Sequence, residues 1–190
     1  MRVFIAVDLP AGVKKAAGKI QEKLKEAGAD VGWVAPEKFH FTLKFIGEMA
    51  EEKIGPLADK MTELVKDEKS FPVSLAGIGA FPSLEKMRVI WLGADRGVPE
   101  LKKMAAQAEQ AALSVGAAPE VRSFSGHLTL GRVRSFQKSA ELKKIILAAG
   151  KMAPLDFTVG GVKIFRSVLK STGSEYSVLR EINFRKENSE

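Results

Sequence analysis

The chain has 190 residues, 45% of them apolar, enough to bury a core in one compact domain or two small lobes. Lys and Arg outnumber Asp and Glu by 30 to 23; the resulting +7 favours an anionic partner, nucleic acid first. Cysteine is absent, which excludes disulfides, thiolate nucleophiles and Cys-ligated zinc and fits a reducing cytoplasm.

The opening Arg2-Val3-Phe4-Ile5-Ala6-Val7-Asp8 reads as a strand. Its apolar run stops at Asp8, too soon for a secretion signal. No apolar stretch of about 18 residues follows anywhere, so no membrane span is expected and the location is read as cytoplasmic. Val13, Ile20, Leu24 and Ala27 mark one face of a helix over 11–28. Phe39 to Phe45 then alternates apolar with polar, the period of a half-buried strand. On that pattern His40, Thr42 and Lys44 share an open face, while Phe41, Leu43 and Phe45 enter the core. Ile54, Leu57, Met61, Leu64 and Val65 define a second helix, and a strand is expected around 71–81.

The second half repeats the series. Arg88 to Asp95 matches the opening strand at an offset of 86 residues. A helix face follows at Val98, Leu101, Ala105, Ala108 and Ala112. His127-Leu128-Thr129-Leu130 then matches His40-Phe41-Thr42-Leu43 at an offset of 87. Leu142, Ile145, Ile146 and Ala149 mark a fourth helix, and strands are expected near 155–165 and 175–184. A turn is expected at Ser171-Thr172-Gly173-Ser174, and the polar tail Lys186–Glu190 is expected to fray. The expected architecture is α+β: two similar lobes of small antiparallel sheets with helices, related by a pseudo-twofold axis around a central cleft. Residues 1–190 form one bilobal domain on this reading, with repeats at roughly 1–85 and 86–185. Strand order, and whether the lobes exchange strands, stay open.

The only two histidines of the chain therefore open the same word, each with a hydroxyl two residues on and on the same strand face. Imidazole titrates near neutral pH, so one of the pair can accept a proton while the other gives one. Two threonine hydroxyls can donate to the non-bridging oxygens of a phosphate between them, where negative charge develops. This set suits metal-independent displacement at a phosphodiester, above all a strained cyclic phosphate. Lys44 would add positive charge from the histidine face. Arg132 would contact phosphate only if Gly131 breaks the strand, since parity puts it on the opposite face. No H-E-x-x-H spacing, phosphate-binding G-x-x-x-x-G-K-[ST] loop or G-x-S-x-G elbow is present, so neither metal nor cofactor is expected.

Paired H-x-T-L words on a duplicated scaffold resemble the two-histidine phosphoesterase superfamily, and within it the RNA 2′,3′-cyclic phosphodiesterase family, also called the 2′-5′ RNA ligase family. The resemblance extends through Trp33-Val34-Ala35-Pro36-Glu37, Ile46-Gly47-Glu48, Gly79-Ala80-Phe81-Pro82, Gly131-Arg132 and the segment around Tyr176. It implies hydrolysis of an RNA-type 2′,3′-cyclic phosphate to a 2′-phosphomonoester. His40 would be the proton donor to the 3′ oxygen, His127 the proton acceptor that activates water, and Thr42 and Thr129 the phosphate binders. It also implies 2′-5′ RNA ligase activity in vitro. Gly126 departs from the pattern, which often has proline there. The expected partners are RNA ends or nucleotide 2′,3′-cyclic phosphates, acted on by a monomer. Two other readings stand beside this one: a sibling cyclic phosphodiesterase for a small nucleotide, and a non-catalytic RNA-binding module. Phe124 and Tyr176 are read as core or rim before nucleobase stackers, Trp33 and Trp91 as structural, and Lys14-Lys15 and Lys102-Lys103 as solvated helix faces.

Overall fold

A computed structural model describes residues 1–149, 153–170 and 173–185. Its first half runs β1 (Arg2–Asp8), α1 (Ala11–Lys25), β2 (Val31–Trp33), β3 (His40–Glu48), α2 (Ile54–Val65) and β4 (Phe71–Phe81). The second half runs β5 (Val89–Arg96), α3 (Val98–Ser114), β6 (His127–Val133), α4 (Ser139–Ala148), β7 (Leu155–Val159), β8 (Gly161–Lys170) and β9 (Gly173–Asn183). The short edge strand β2 has no counterpart in the hydrophobic pattern. Ser171 and Thr172 of the expected turn, and the tail Lys186–Glu190, lie outside the described residues.

The strands form two antiparallel sheets, ordered β3-β1-β8-β9 and β2-β6-β5-β4-β7. Two lobes are present, but they are not the two sequence halves. β2 and β4 of the first half join the second sheet, and β8 and β9 of the second half join the first. The helices cross in the same way: α1 packs on β7 of the second sheet, and α3 packs on β3 of the first. The strand expected over 155–165 is in fact two, because the chain changes sheets at Gly160 and Gly161. There β9 comes so close that a Cβ on Gly161 would stand 2.5 Å from the Ile182 carbonyl oxygen. Only glycine fits such an approach.

One continuous core joins both sheets to the helices that cover them; Phe41, Leu57, Met61, Leu92, Leu101 and Leu128 are fully enclosed in it. Each such side chain contributes roughly 1.5–3 kcal/mol. Gln21 is buried inside α1 and donates to the carbonyls of Val34 (2.7 Å) and Leu130 (2.8 Å), tying the helix to β6.

β3 and β6 share an irregularity that decides the site. Opposite β1, Lys44 pairs with Ile5 and Thr42 with Ala6, so Leu43 is an extra residue. Opposite β5, Gly131 pairs with Ile90 and Thr129 with Trp91, so Leu130 is extra in the same way. Each is a β-bulge, and past it the side chains exchange faces. Both strands accordingly show two buried residues in succession, Leu43-Lys44 and Leu130-Gly131, before an exposed one. Among the described residues no helix is long and apolar enough to cross a membrane.

Candidate active site

Both histidines begin a strand and face away from the core, which leaves their rings at the cleft. His40 Nδ1 lies 2.7 Å from the Lys38 carbonyl oxygen, and His127 Nδ1 lies 2.7 Å from that of Ser125. A carbonyl can only accept, so each Nδ1 carries the hydrogen and each Nε2 is the nitrogen left for chemistry. The tautomer is fixed twice by one device, the backbone carbonyl two residues upstream. Thr42 Oγ1 stands 3.1 Å from His40 Nε2, joining hydroxyl and imidazole on one face as the spacing predicts.

The settings of the two rings differ. His40 lies 4.9 Å from the Phe4 ring and 6.1 Å from Phe165, and Tyr176 meets it edge-on at 5.2 Å. Among the described residues His127 has one aromatic neighbour, Phe81, edge-on at 5.0 Å. Burial lowers the pKa of His40 from its ordinary value; Lys14 and His127 add to that, and the Lys38 carbonyl and Asp8 oppose it. Burial also lowers His127, helped by Arg132 and opposed by the Ser125 carbonyl. The two imidazoles are thus within electrostatic reach of each other, and both favour the neutral form. Asp8, opposite His40 in the sheet, bonds Lys14 at 2.7 Å and Lys163 at 2.9 Å. Burial would raise its pKa, but those two cations outweigh it and keep Asp8 ionised.

Two imidazoles of fixed tautomer, one accepting a proton at Nε2 and the other giving one once it is protonated there, with a threonine on each strand face and a guanidinium nearby, can move a proton in and a proton out around an anion. The sequence matches LigT-like phosphoesterase twice in succession, over residues 7–91 and 92–176. The chain belongs to the LigT-like phosphoesterase family. An RNA 2′,3′-cyclic phosphodiesterase of Methanothermobacter thermautotrophicus is 33% identical, covering 93% of this chain and 95% of that one. Another of that name, from Thermotoga maritima, is 34% identical over 97% and 96% of the two chains. The crystal structure of a Thermus thermophilus protein superposes with a TM-score of 0.76 at 28% identity, covering 99% of this chain and all of that one.

In this LigT-like phosphoesterase the bulges correct two expectations. Lys44 does not reach the histidine face. It is buried, bonds Glu109 of α3 at 2.6 Å and donates to the Ala118 carbonyl at 2.9 Å. Phe45, expected in the core, is half exposed on the histidine face instead, with its ring 6.4 Å from that of Phe4. The same shift returns Arg132 to the side of Thr129, since it pairs with Val89 while Thr129 pairs with Trp91 two residues on. The strand does not break at Gly131, which pairs with Ile90 and Trp33; the bulge at Leu130 is what turns Arg132 to that face.

Phe124 packs against the core and Tyr176 borders His40. Trp33 joins the core margin, whereas Trp91 lies on the cleft face, its ring over Gly79 and 5.1 Å from Phe81. Lys14 is an ion-pair partner of Asp8 and not a purely solvated residue, while Lys15 is exposed. Gly126 is held without proline: its carbonyl accepts from the Ala94 amide at 3.2 Å. Sequence reasoning missed the aromatic neighbours of the two rings, Phe4 and Phe165 at His40 and Phe81 at His127, and the two carbonyl anchors. The former are spread over three distant strands, and a backbone carbonyl has no sequence signature. Among the described residues, no group of three or more His, Asp or Glu side chains is placed to hold a metal ion.

Proposed function

We propose that this chain hydrolyses RNA-type 2′,3′-cyclic phosphates to 2′-phosphates, with His40 and His127 as an acid–base pair. The observation that carries this reading is the matched pair of imidazoles, each with Nδ1 held by a carbonyl so that Nε2 is the nitrogen that exchanges a proton. Water attacks phosphorus as His127 Nε2 takes its proton. The bond from phosphorus to O3′ breaks, and the proton on His40 Nε2 passes to that oxygen. Thr42, Thr129 and Arg132 bind the non-bridging oxygens and stabilise the charge that builds on them. His40 must start protonated, and the bound phosphate anion favours that form against its burial. A 5′-hydroxyl in place of water would give a 2′-5′ linkage by the same displacement. The names of the relatives support RNA ends as the substrate class.

The test is incubation with an RNA ending in 2′,3′-cyclic phosphate, in EDTA, followed by identification of the terminal phosphate. A 2′-phosphate formed at an undiminished rate is expected. A 3′-phosphate, or a strict need for added metal, would overturn the mechanism; tight RNA binding with no turnover would point to a binding module.

A further inference from the structure

Past Arg132 the histidine strand presents a second guanidinium in line with the first. Val133 donates its amide to the Arg88 carbonyl at 3.0 Å and Arg134 to that of Asp30 at 2.9 Å, so extended pairing continues one residue beyond β6. Alternation then returns Arg134 to the face of Arg132. Gly32 shows the same thing independently. It pairs with Arg132, and a Cβ built on it would stand 3.2 Å from Arg134 Nε and 3.3 Å from Nη2. The guanidinium therefore lies across β2 in the space a larger residue would fill.

Lys14, Lys163 and Lys44 around the site all hold carboxylates. Among the described residues, Arg132 and Arg134 have no ion-pair partner, and both are exposed. Their Cα atoms are about 6.5 Å apart, two strand residues. Successive phosphates of an RNA strand can match that separation. On β3 the same face shows Phe45 and then, past a second bulge at Ile46, Glu48, which is paired with Arg2 at 3.7 Å; the anionic backbone meets a carboxylate on that side and guanidinium groups on this one.

We propose that Arg134, seated over Gly32, binds the phosphate on the 5′ side of the terminal nucleotide, so that the site grips an RNA end by two consecutive phosphates. This rests on the cyclic phosphodiesterase reading above. It makes the 5′ phosphate, and not chain length as such, the feature that separates an RNA end from a free nucleoside cyclic phosphate.

Three substrates test it: a nucleoside 2′,3′-cyclic phosphate, the same compound carrying a 5′-phosphate, and a short RNA ending in cyclic phosphate. Arg134→Gln should raise KM for the second and third by roughly 5–10-fold, as loss of an exposed charge-assisted hydrogen bond does. Their kcat should hold, and kcat/KM for the first should stay within about twofold. The slope of log KM against log salt for the RNA should also fall by about one phosphate contact. Gly32→Val, which displaces the guanidinium, should reproduce the pattern. Equal losses on all three substrates, or none on the 5′-phosphorylated pair, would overturn the proposal. If the wild type turns over none of them, the cyclic phosphodiesterase reading has failed. The arginine track is then decided by fluorescence anisotropy with 5′-phosphorylated single-stranded RNA: a several-fold weaker Kd in Arg134→Gln supports it, and an unchanged Kd ends it.

Discussion

From His40 to Leu43 and from His127 to Leu130 the two histidine strands share a word, an imidazole tautomer and a bulge. Past the bulge they diverge. β3 turns Lys44 inward to Glu109 and shows Phe45 to the cleft, beside Phe4 and the rings around His40. β6 turns Gly131 inward, where a Cβ would stand 2.6 Å from Val31, and shows Arg132 to the cleft. At this position one strand offers an aromatic ring and the other a guanidinium. Proton exchange on the proposed mechanism needs two like groups, so duplication preserves the words; a nucleotide has an apolar base and a charged phosphate, so the flanks are free to differ.

The sharpest way to break the comparison is at the histidines. His40→Ala and His127→Ala should each slow cyclic phosphate hydrolysis by roughly 10²–10⁴-fold, the usual worth of positioned acid–base catalysis. In kcat/KM against pH, each variant should lose a different limb of the wild-type bell. Loss of the same limb from both would mean that the two devices do not have opposite roles.

Next come the hydroxyls. Thr42→Val and Thr129→Val keep shape and strand preference but delete the donor, and turnover should drop on the order of 10²-fold. Melting temperatures should move little, because Thr42 is exposed and Thr129 is outside the core. Full activity in both valine variants would remove the threonines from phosphate binding.

The inward residues after the bulges sharpen the contrast in stability. Lys44→Met strips the partner from Glu109, itself only partly buried, and should cost about 2–3 kcal/mol, below the full penalty for breaking a buried pair. Denaturant midpoints measure this. Restoring stability with Lys44→Met plus Glu109→Leu would show that the pair is replaceable by apolar packing. An unchanged midpoint in the single variant would mean that the buried lysine contributes nothing net.

The smallest expected effect is the acid sensitivity of the fold. Both histidines have a pKa in the folded chain below the ordinary value of 6.5. As pH falls through about 6.5 the unfolded chain takes up protons first, so stability falls on the acid side and is regained above that value. His40→Ala should flatten the dependence of melting temperature on pH between 8 and 5 more than His127→Ala, since His40 is the more deeply enclosed. A wild-type melting temperature that rises as pH drops below 6.5 would contradict the direction of both shifts.

The amino-acid sequence by itself determines a good deal here. Apolar residues at helical spacing mark α1, α2, α3 and α4, and alternation marks the histidine strands. The repeated word puts each hydroxyl beside its imidazole, because strand parity over two residues is local geometry. Tertiary structure alone decides what lies a few residues further on. The bulges at Leu43 and Leu130 arise from pairing with β1 and β5, and they invert the parity of the residues that follow, carrying Lys44 inward and Arg132 outward. The exchange of β4 and β8 between sheets likewise depends on contacts between distant segments, and so does the ring of aromatics around His40. A periodic pattern specifies which side of an element is apolar; only the packed partner specifies where that side is placed and where the period breaks.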